Sequence, residues 1–507
     1  MIDRRAFLNQ FSLLSGSVAL SLGGIQLRAF AHPLLLDTQS TNGKILVLVQ
    51  LTGGNDGLNT LIPFEDSLYY SGRPQIAIPK AQVLGLDNNM GFHPSMGSFK
   101  ELYEGGKMKI LQSVGYENQN RSHFRSTDIW LSASNSDEFI FDGWLGRFLS
   151  QSFPEFPSQS PKHPMAIELG STESMLLQSP VGPTSVAFDT PSAFFQLVNG
   201  SIADNDPPPA TLAGDELKYL KQVAANSIRY ANVIKDTADK VQNKVTYPNT
   251  SLGRQLSIVA DLVAGGMETP IYLTTIGGFD THAQQLSSHA TLLKNLTEAI
   301  AAFQKDIELL GIADKVALMT FSEFGRRVKE NGSAGTDHGS AAPMFIIGQT
   351  VKPGTLGKNP SLTDLDNNGD IKHQHDFKSV YSTILQDYFG LAKNDAKGIL
   401  NRDFDKYNIF RNVKAPKPST NLIELVQNYP NPFSQTTKIE YNLTRKAQVR
   451  FVVMDMLGRE LTSISKGLQD DGYYSFDFQD SSLADGIYLY SILADDQRVT
   501  KRMMIVR

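Results

Sequence analysis

The stretch Lys-Ile-Leu-Val-Leu-Val-Gln-Leu-Thr-Gly-Gly, residues 44–54, decides the fold class. Its first eight residues form an almost continuous apolar run, which two glycines end abruptly. A continuous run of this length is typical of a strand that is buried on both faces, as in a parallel sheet. The sequence therefore predicts a buried strand over residues 44–51 that ends in a tight loop.

Further apolar runs alternate with helical patterns along the chain. The clearest helical pattern covers residues 284–310, where apolar residues recur every three or four positions. The other predicted strands are 108–114, 270–276, 315–321 and 343–347. Strands that alternate with helices indicate an α/β fold, in which helices flank a mostly parallel sheet on both faces. Residues 201–265 are interpreted as an insertion packed on this core.

Composition excludes several classes of function. The chain of 507 residues is long enough for two or three domains, and its 41% apolar content suffices for a large core. A net charge of −5 offers no basic face, which argues against nucleic acid as a partner. Because cysteine is absent, disulfides, thiolate metal sites and cysteine nucleophiles are excluded. Any metal must be held by oxygen donors or by some of the nine histidines.

Residues 1–31 are predicted to be a signal peptide. Arg4 and Arg5 precede an apolar stretch over residues 11–25, and the Ala-Phe-Ala at 29–31 fits a cleavage site. The segment around the two arginines resembles the twin-arginine motif of proteins that are exported already folded; an ordinary secretory signal is the alternative. No transmembrane anchor is expected in the mature chain, because no later segment is apolar enough to span a bilayer.

The pattern changes after residue 410. Residues 411–423 form a polar linker that contains proline, and the segments that follow alternate with a period of two. The predicted strands are 438–443, 449–454, 473–478, 487–493 and 499–506. Short alternating strands without helices indicate a β-sandwich of roughly 80 residues, assigned to 424–507.

This C-terminal module resembles the sorting domain of the Por (type IX) secretion system of Bacteroidetes. The resemblance rests on Gln427–Phe433, Met454–Glu460, Ala484–Tyr488 and the basic final strand Lys501–Arg507. It implies type IX machinery as a partner, periplasmic transit, and a final location on the cell surface or outside the cell. The module would then take no part in chemistry; a carbohydrate-binding or adhesion sandwich is the alternative.

Ionisable residues follow or precede the predicted strands of the α/β domain, where loops converge at the carboxyl ends of parallel strands. The candidate metal ligands are Asp56, Asp280, His282, Glu323, Asp337 and His338. Carboxylates and imidazoles without thiolates suit zinc, manganese, calcium or magnesium, and the sequence does not choose among these divalent ions. His289, on the predicted long helix, is expected to be structural.

A candidate nucleophile lies in the polar segment 120–126. Ser122 is predicted at a helix N-terminus, where backbone N–H groups favour an alkoxide or a bound anion. Arg125 is predicted to add charge-assisted hydrogen bonds to the same group. The alternative is that Ser122 only caps the helix.

Residues 44–390 resemble the secreted domain-of-unknown-function family 1501, within the alkaline-phosphatase-like and sulfatase-like superfamily. The matching motifs are Gly-Gly-Asn-Asp-Gly-Leu-Asn at 53–59, Ser-His-Phe at 122–124, Gly-Trp-Leu-Gly-Arg at 143–147, Gly-Gly-Phe-Asp-Thr-His at 277–282, Ser-Glu-Phe-Gly-Arg-Arg at 322–327 and Gly-Thr-Asp-His-Gly at 335–339. The resemblance implies an alkaline-phosphatase-like domain over residues 40–410.

The superfamily pattern implies an exported, metal-dependent hydrolase of phosphate or sulfate esters, with Ser122 as nucleophile. In one alignment Asp337-His338 is the superfamily's Asp-His pair. In the preferred alignment Glu323 and Phe324 replace that pair and His338 is the last histidine. This leaves fewer ligands and allows a single-metal or inactive site. The alternative function is a non-catalytic surface or binding protein on a degenerate fold.

Overall fold

The computed structural model describes residues 42–154, 156, 160–170, 174–180, 182–198, 228–411, 422–426, 428–455, 459–495 and 497–507. The predicted signal peptide, most of the linker 411–423 and the first part of the 201–265 segment lie outside these residues, so the domain boundaries stay predictions. Within the described residues, no helix is both long and apolar enough to cross a membrane.

A nine-stranded, mostly parallel sheet forms the centre of the α/β domain. Its spatial order is Gly354–Leu356, Met108–Gly115, Ala342–Ile347, Val316–Ser322, Ile45–Thr52, Ile271–Gly277, Ala166–Leu169 and Ser185–Phe188, with His375–Asp376 paired to Met108–Gly115. Ile45–Thr52 lies between two parallel neighbours. Leu46 and Leu48 pack in one core while Val47 and Val49 pack in the other. Burial on both faces explains the continuous apolar run of this strand.

The five strands predicted in this domain are present, and one runs in an unexpected direction. Ala342–Ile347 is antiparallel to both Val316–Ser322 and Met108–Gly115. The loop that precedes it contains no crossover helix. When a loop begins and finishes at the same end of the strands, the strand that follows it must run antiparallel to the one before it. The apolar pattern of 343–347 does not encode that direction.

Helices cover both faces of the sheet. The α-helices of the described residues include Gly57–Thr60, Ser67–Gly72, Gly97–Glu104, His123–Ser132, Trp144–Ser152, Pro191–Val198, Ser251–Ala264, Gln285–Leu309, Phe377–Thr383 and Lys393–Leu400, and residues 228–238 are also helical. A π-helical turn, Ile384–Tyr388, extends one of them, and 3₁₀ turns occupy Lys80–Gln82 and Met175–Leu177. The small strands Leu61–Ile62, Leu84–Gly85, Gly91–Phe92, Gln178–Ser179 and Gly182–Pro183 lie outside the main sheet. The long helix predicted over 284–310 is confirmed as Gln285–Leu309.

The C-terminal module consists of two antiparallel sheets that enclose their own apolar core. One sheet contains Ile423–Leu425, Thr437–Leu443 and Gly472–Phe478; the other contains Ala447–Met454, Glu460–Gln469, Gly486–Ala494 and Gln497–Ile505. The sequence did not predict Glu460–Gln469, because this strand is largely exposed and carries little apolar alternation. The last strand contacts the α/β domain through Lys501, whose Nζ lies 2.6 Å from Asp395, and through the buried Arg502.

Candidate metal centre

Polar side chains from four segments converge at one edge of the central sheet, at the carboxyl ends of its parallel strands. They are Asp280 and His282 after Ile271–Gly277, Glu323 after Val316–Ser322, Asp337 and His338 in the following loop, and His123 in the first turn of the helix after Met108–Gly115. We call these six residues the edge cluster. The structure therefore brings together five of the six predicted ligands and adds His123.

Three members of the edge cluster are spaced like ligands of one metal ion. One donor atom each from His123, Asp280 and His338 lies within 4.8 Å of the other two. The Oδ1 atom of Asp280 lies 3.4 Å from Nε2 of both His123 and His338, and 3.0 Å from Nε2 of His282. Ligands around tetrahedral zinc, with bonds of about 2.0–2.1 Å, are about 3.3–3.4 Å apart. The three residues thus match a metal site that leaves one position open.

Each histidine of the edge cluster has its Nδ1 atom beside a hydrogen-bond acceptor. The pairs are His338 with the carbonyl of Arg121 at 2.7 Å, His123 with Oε1 of Glu323 at 3.0 Å, and His282 with Oδ1 of Asp337 at 3.2 Å. An imidazole that donates from Nδ1 leaves the lone pair of Nε2 free, and metal-binding histidines are commonly oriented in this way. When Nδ1 carries the proton, each of the three Nε2 atoms, at 3.0–3.4 Å from Oδ1 of Asp280, presents its lone pair to a metal.

Glu323 and Asp337, which were predicted as metal ligands, support imidazoles instead. The carboxylate of Glu323 is 4% exposed, and its Oε1 atom also accepts a hydrogen bond of 2.7 Å from the N–H of Gly53. Asp337 is half exposed and accepts a hydrogen bond of 3.1 Å from Asn331. In this structure their bonded oxygens contact Nδ1 of His123 and of His282, which orients the two imidazoles.

The electrostatics of the edge cluster favour the protonation states that a metal requires. Burial opposes ionisation of Asp280, but the hydrogen bond and charge of Arg326 hold the pKa of its carboxyl below the ordinary value. The hydrogen bond from Asn331 holds the pKa of Asp337 low. Burial lowers the pKa of His338. The carboxylates are therefore ionised and this imidazole is neutral at pH 7, as ligands must be.

Two glycines allow the strand ends to approach closely enough to form the edge cluster. Gly53 and Gly54 have φ angles of +118° and +81°. A Cβ atom on Gly53 would lie 2.4 Å from the backbone nitrogen of Asp280, and one on Gly54 would lie 2.2 Å from the ring of Phe324. Only glycine fits both positions, which explains the Gly-Gly pair at the end of the central strand.

Asp56 is not in the edge cluster, contrary to its prediction as a ligand. Its carboxylate is fully buried, lies 2.6 Å from Nη1 of Arg73 and accepts hydrogen bonds from Gln285 and from the N–H of Leu58. Burial alone would raise the pKa of Asp56, but Arg73 holds it below the ordinary value. The short helix Gly57–Thr60 begins directly after Asp56, so the side chain caps that helix and points inward.

The two predicted catalytic residues have different surroundings. Ser122 is exposed and is the N-cap of the helix that begins at His123, without a side-chain capping hydrogen bond. Arg125 does not support an anion beside it: its guanidinium donates to the carbonyls of Asn135 at 3.0 Å and Glu138, and lies 4.1 Å from the ring of Phe139. Its Nη2 group is directed at the loop after its helix, whereas its buried Nε atom has no hydrogen-bond partner among the described residues.

Sequence reasoning missed His123, and it divided Arg326 and Arg327 between a salt bridge and the mouth of the site without assigning either. His123 stands beside the candidate nucleophile, and a lone histidine at a helix start carries no pattern of its own. The sequence did contain one indication of its role: His123 follows the strand Met108–Gly115, which ends at the same edge of the sheet. Arg326 belongs to an arginine pair, and the sequence does not show which member is buried. Phe324 packs under the edge cluster, with its ring 4.9 Å from His123 and 4.7 Å from His338.

The fold and the edge cluster define an α/β protein with a candidate metal centre and an added β-sandwich. The chain belongs to the family described as protein of unknown function DUF1501, whose model matches residues 88–400, more than half of the chain. Residues 427–506 match the secretion system C-terminal sorting domain. No curated protein matches the sequence significantly.

Solved structures with a similar overall arrangement include sulfatases. A Bacteroides thetaiotaomicron structure connected with metabolism of multiple glycosaminoglycans has 9% identity and a TM-score of 0.33, over 84% of this chain and 90% of that chain. The sulfatase PsFucS1 from Pseudoalteromonas sp. has 11% identity and a TM-score of 0.30, over 86% of this chain and 83% of that chain. A Vibrio parahaemolyticus protein in the alkaline phosphatase superfamily has 10% identity and a TM-score of 0.30, over 82% of this chain and 81% of that chain. Similarity at this level carries no information on the activity of this chain.

Proposed function

We propose that the α/β domain is an exported, metal-dependent hydrolase of phosphate or sulfate esters. The observation that carries the proposal is that one donor atom each of His123, Asp280 and His338 lies within 4.8 Å of the other two, with Oδ1 of Asp280 at 3.4 Å from both Nε2 atoms. The protonation states derived for Asp280 and His338 support it, because a divalent ion binds carboxylates and neutral imidazoles.

The donor set favours a transition ion. Two imidazoles and one carboxylate suit zinc or manganese better than calcium or magnesium, which prefer oxygen donors. His282, whose Nε2 lies 2.9 Å from that of His338, is the nearest additional donor. When bound, such an ion acts as a Lewis acid that polarises an ester oxygen and stabilises the charge that develops on it.

Ser122 is the proposed nucleophile or anion-anchoring hydroxyl. It is exposed, precedes His123 directly and has no capping hydrogen bond that would hold its side chain away from a substrate. Its position at the start of a ten-residue helix lets backbone N–H groups stabilise negative charge on the transferred group. Arg125 is not given a catalytic role, because the following loop occupies its guanidinium.

The export route rests on the two ends of the chain. We propose that the twin-arginine-type signal peptide directs the chain across the inner membrane, and that it is removed near His32. The C-terminal sorting domain implies type IX secretion machinery as partner and secretion to the cell surface or the medium. The edge cluster is built from residues of the α/β domain alone.

Metal analysis of the purified mature chain tests the centre. The wild type is expected to retain divalent metal after dialysis, Asp280→Ala is expected to lose it, and His373→Ala, which removes an exposed histidine, is expected to keep it. Plasma mass spectrometry measures the content. A wild-type chain that stays metal-free after incubation with zinc or manganese would contradict the proposal.

Hydrolysis assays with chromogenic phosphomonoesters, phosphodiesters and sulfate esters test the reaction. The metal-loaded wild type is expected to cleave one of these classes, and Ser122→Ala is expected to lose turnover while it keeps the metal. Ser71→Ala is the matched control, because Ser71 is an exposed serine on another helix. Full activity of Ser122→Ala would remove Ser122 from the proposed mechanism.

The alternative function is a non-catalytic binding protein on the same fold. Two observations favour it: Arg326 already binds Asp280 at 2.7 Å, and Phe324 occupies a position where the superfamily pattern has a ligand. Such a protein is expected to purify without stoichiometric metal, so the metal analysis separates the two functions.

A further inference from the structure

A buried guanidinium lies directly under the edge cluster. The side chain of Arg326 is fully buried, and its donors are satisfied by backbone and cluster atoms. Its partners are the carbonyls of Gly53, Gly54 at 2.7 Å, Phe279 at 3.1 Å and Thr336 at 2.9 Å, together with Oδ1 of Asp280 at 2.7 Å. Arginine has five N–H donors and stays charged in proteins, so Arg326 is a permanent cation held from several sides.

Arg326 and the candidate metal ligands share one carboxylate oxygen. Oδ1 of Asp280 binds the guanidinium and also lies 3.4 Å from Nε2 of both His123 and His338. In two-metal hydrolytic sites the two ions lie roughly 3.5–4 Å apart. Asp280 likewise lies between two positions for positive charge. The guanidinium of Arg326 occupies one of them, and the group of metal ligands marks the other.

We infer that Arg326 takes the place of a second metal ion, so that the centre holds one divalent ion per chain between His123, Asp280 and His338. This inference rests on the proposed metal site and specifies its stoichiometry. Arg326 is a positioning residue in this arrangement, because its buried side chain reaches the substrate region only through Asp280.

The positive charge of Arg326 and the small number of remaining ligand atoms both act against binding of a second ion. A dication near Arg326 would be repelled by its buried guanidinium, whose charge the single carboxylate of Asp280 offsets. The donors left for it would be Nε2 of His282 and the second carboxylate oxygen of Asp337, because Nδ1 of His282 and Oδ1 of Asp337 already bond to each other at 3.2 Å. Nη1 of Arg326 also lies 3.4 Å from Nε2 of His282. Among the residues that the structure describes, His123, Asp280 and His338 form the only group of three or more possible ligands whose donor atoms all lie within 4.8 Å of one another.

Native mass spectrometry of the mature chain, titrated with zinc, tests the inference because it counts ions on folded molecules. The wild type is expected to take one ion. Arg326→Met removes the charge and is expected to take a second ion, whereas Arg326→Lys keeps the charge and is expected to stay at one. Arg327→Met is the matched control, since Arg327 is the half-exposed neighbour, and it is expected to stay at one.

The number of ions on the wild type is the first test of the inference. Two ions on the wild type would overturn the inference and leave the metal site intact, whereas no ion would overturn the proposed function and the inference with it. A folded Arg326→Met chain that still takes one ion would also overturn it. If that variant does not fold, manganese-loaded wild type provides a second measurement: a six-line electron paramagnetic resonance spectrum of isolated ions supports the inference, and a spin-coupled pair contradicts it.

Discussion

Two polar regions lie near each other at the carboxyl edge of the central sheet, and both combine aspartate, arginine and histidine. The first is the edge cluster around Asp280, with Arg326 beneath it. The second, which we call the buried network, consists of Asn55, Asp56, Asn59, Arg73, Gln285 and His289. Each region contains an aspartate that follows a parallel strand and binds an arginine. Residue type alone therefore does not distinguish them.

The regions differ in access and in the direction of their lone pairs. Both members of the Asp56–Arg73 pair are fully buried, and Arg73 also donates to the carbonyls of Arg327 and Val328. The side chain of Asp280 is 50% exposed, and its Oδ1 faces the Nε2 atoms of histidines. A fully buried, hydrogen-bonded ion pair such as Asp56–Arg73 stabilises the fold, whereas converging lone pairs that solvent can reach can bind an ion.

The buried network also supports the edge cluster mechanically. The side-chain oxygen of Gln285 accepts hydrogen bonds from Thr281 at 3.1 Å and from Thr336 at 2.6 Å, while its amide donates to Asp56. These threonines flank the ligand-bearing segments at Asp280 and at His338. Breaking the buried network should therefore reduce stability, and breaking the edge cluster should reduce metal affinity.

The largest expected effect is on stability and comes from Asp56→Ala. This change leaves Arg73 buried without its partner, so the free energy of unfolding should fall by about 3–5 kcal/mol. Urea denaturation of the metal-free chain measures it. Asp66→Ala is the matched control, because Asp66 caps a helix in the same way without a buried ion pair and should cost about 1 kcal/mol. Equal effects would contradict the structural role of Asp56.

His338→Ala should have the opposite profile. Removing a ligand is expected to weaken metal binding by more than ~100-fold, beyond the range typical of residues that only orient ligands. The unfolding free energy of the metal-free chain should change far less than in Asp56→Ala, because His338 lies near the surface. Calorimetric titration with zinc measures the affinity, with His373→Ala as control. Unchanged affinity would exclude His338 from the centre.

The buried network should make stability depend on pH. Burial lowers the pKa of His289 to about 4 from 6.5, so below pH 6.5 the unfolded chain takes up a proton that the folded chain cannot. Stability should be highest above pH 6.5 and fall by about 2–3 kcal/mol on acidification to pH 4 from this residue. His93, whose pKa burial also lowers to about 4, should add to the loss.

The variant His289→Gln isolates this contribution. Glutamine keeps an N–H donor for Asn55, which His289 Nε2 contacts at 3.0 Å, but does not titrate. Its unfolding free energy should therefore vary less between pH 6.5 and pH 4 than that of the wild type, in denaturation curves recorded across that range. The exposed His373→Gln should leave the dependence unchanged. An identical slope in His289→Gln and wild type would show that His289 is not buried neutral.

The smallest expected effect comes from the residues that orient imidazoles. Glu323→Gln should weaken zinc binding by roughly 10–100-fold, because it removes the charge that holds Nδ1 of His123. Asp337→Asn should weaken it less, since Asp337 is half exposed and water can replace its hydrogen bond to His282. Calorimetric titration compares the two variants. A larger effect at Asp337 would show that it binds the ion directly.

Much of the architecture could be predicted because burial determines it locally. The continuous apolar runs predicted five strands of the α/β domain, and the period-two pattern predicted most of the C-terminal sandwich. The direction of Ala342–Ile347 could not be predicted, because a buried antiparallel strand and a buried parallel strand have the same apolar pattern.

The sequence by itself determined that Asp280, His282 and Glu323 reach the site, because ionisable residues directly after parallel strands lie at one edge of the sheet. Asp337 and His338 precede Ala342–Ile347, and they lie at the same edge because that strand runs antiparallel. Only the tertiary structure decided their separate positions. Whether an aspartate meets an arginine in the interior, as Asp56 does, or histidines at the surface, as Asp280 does, depends on side-chain directions and on partners hundreds of residues away. The same long-range contacts put His123 beside Asp280 and buried Arg326 beneath it, and no local pattern encodes either.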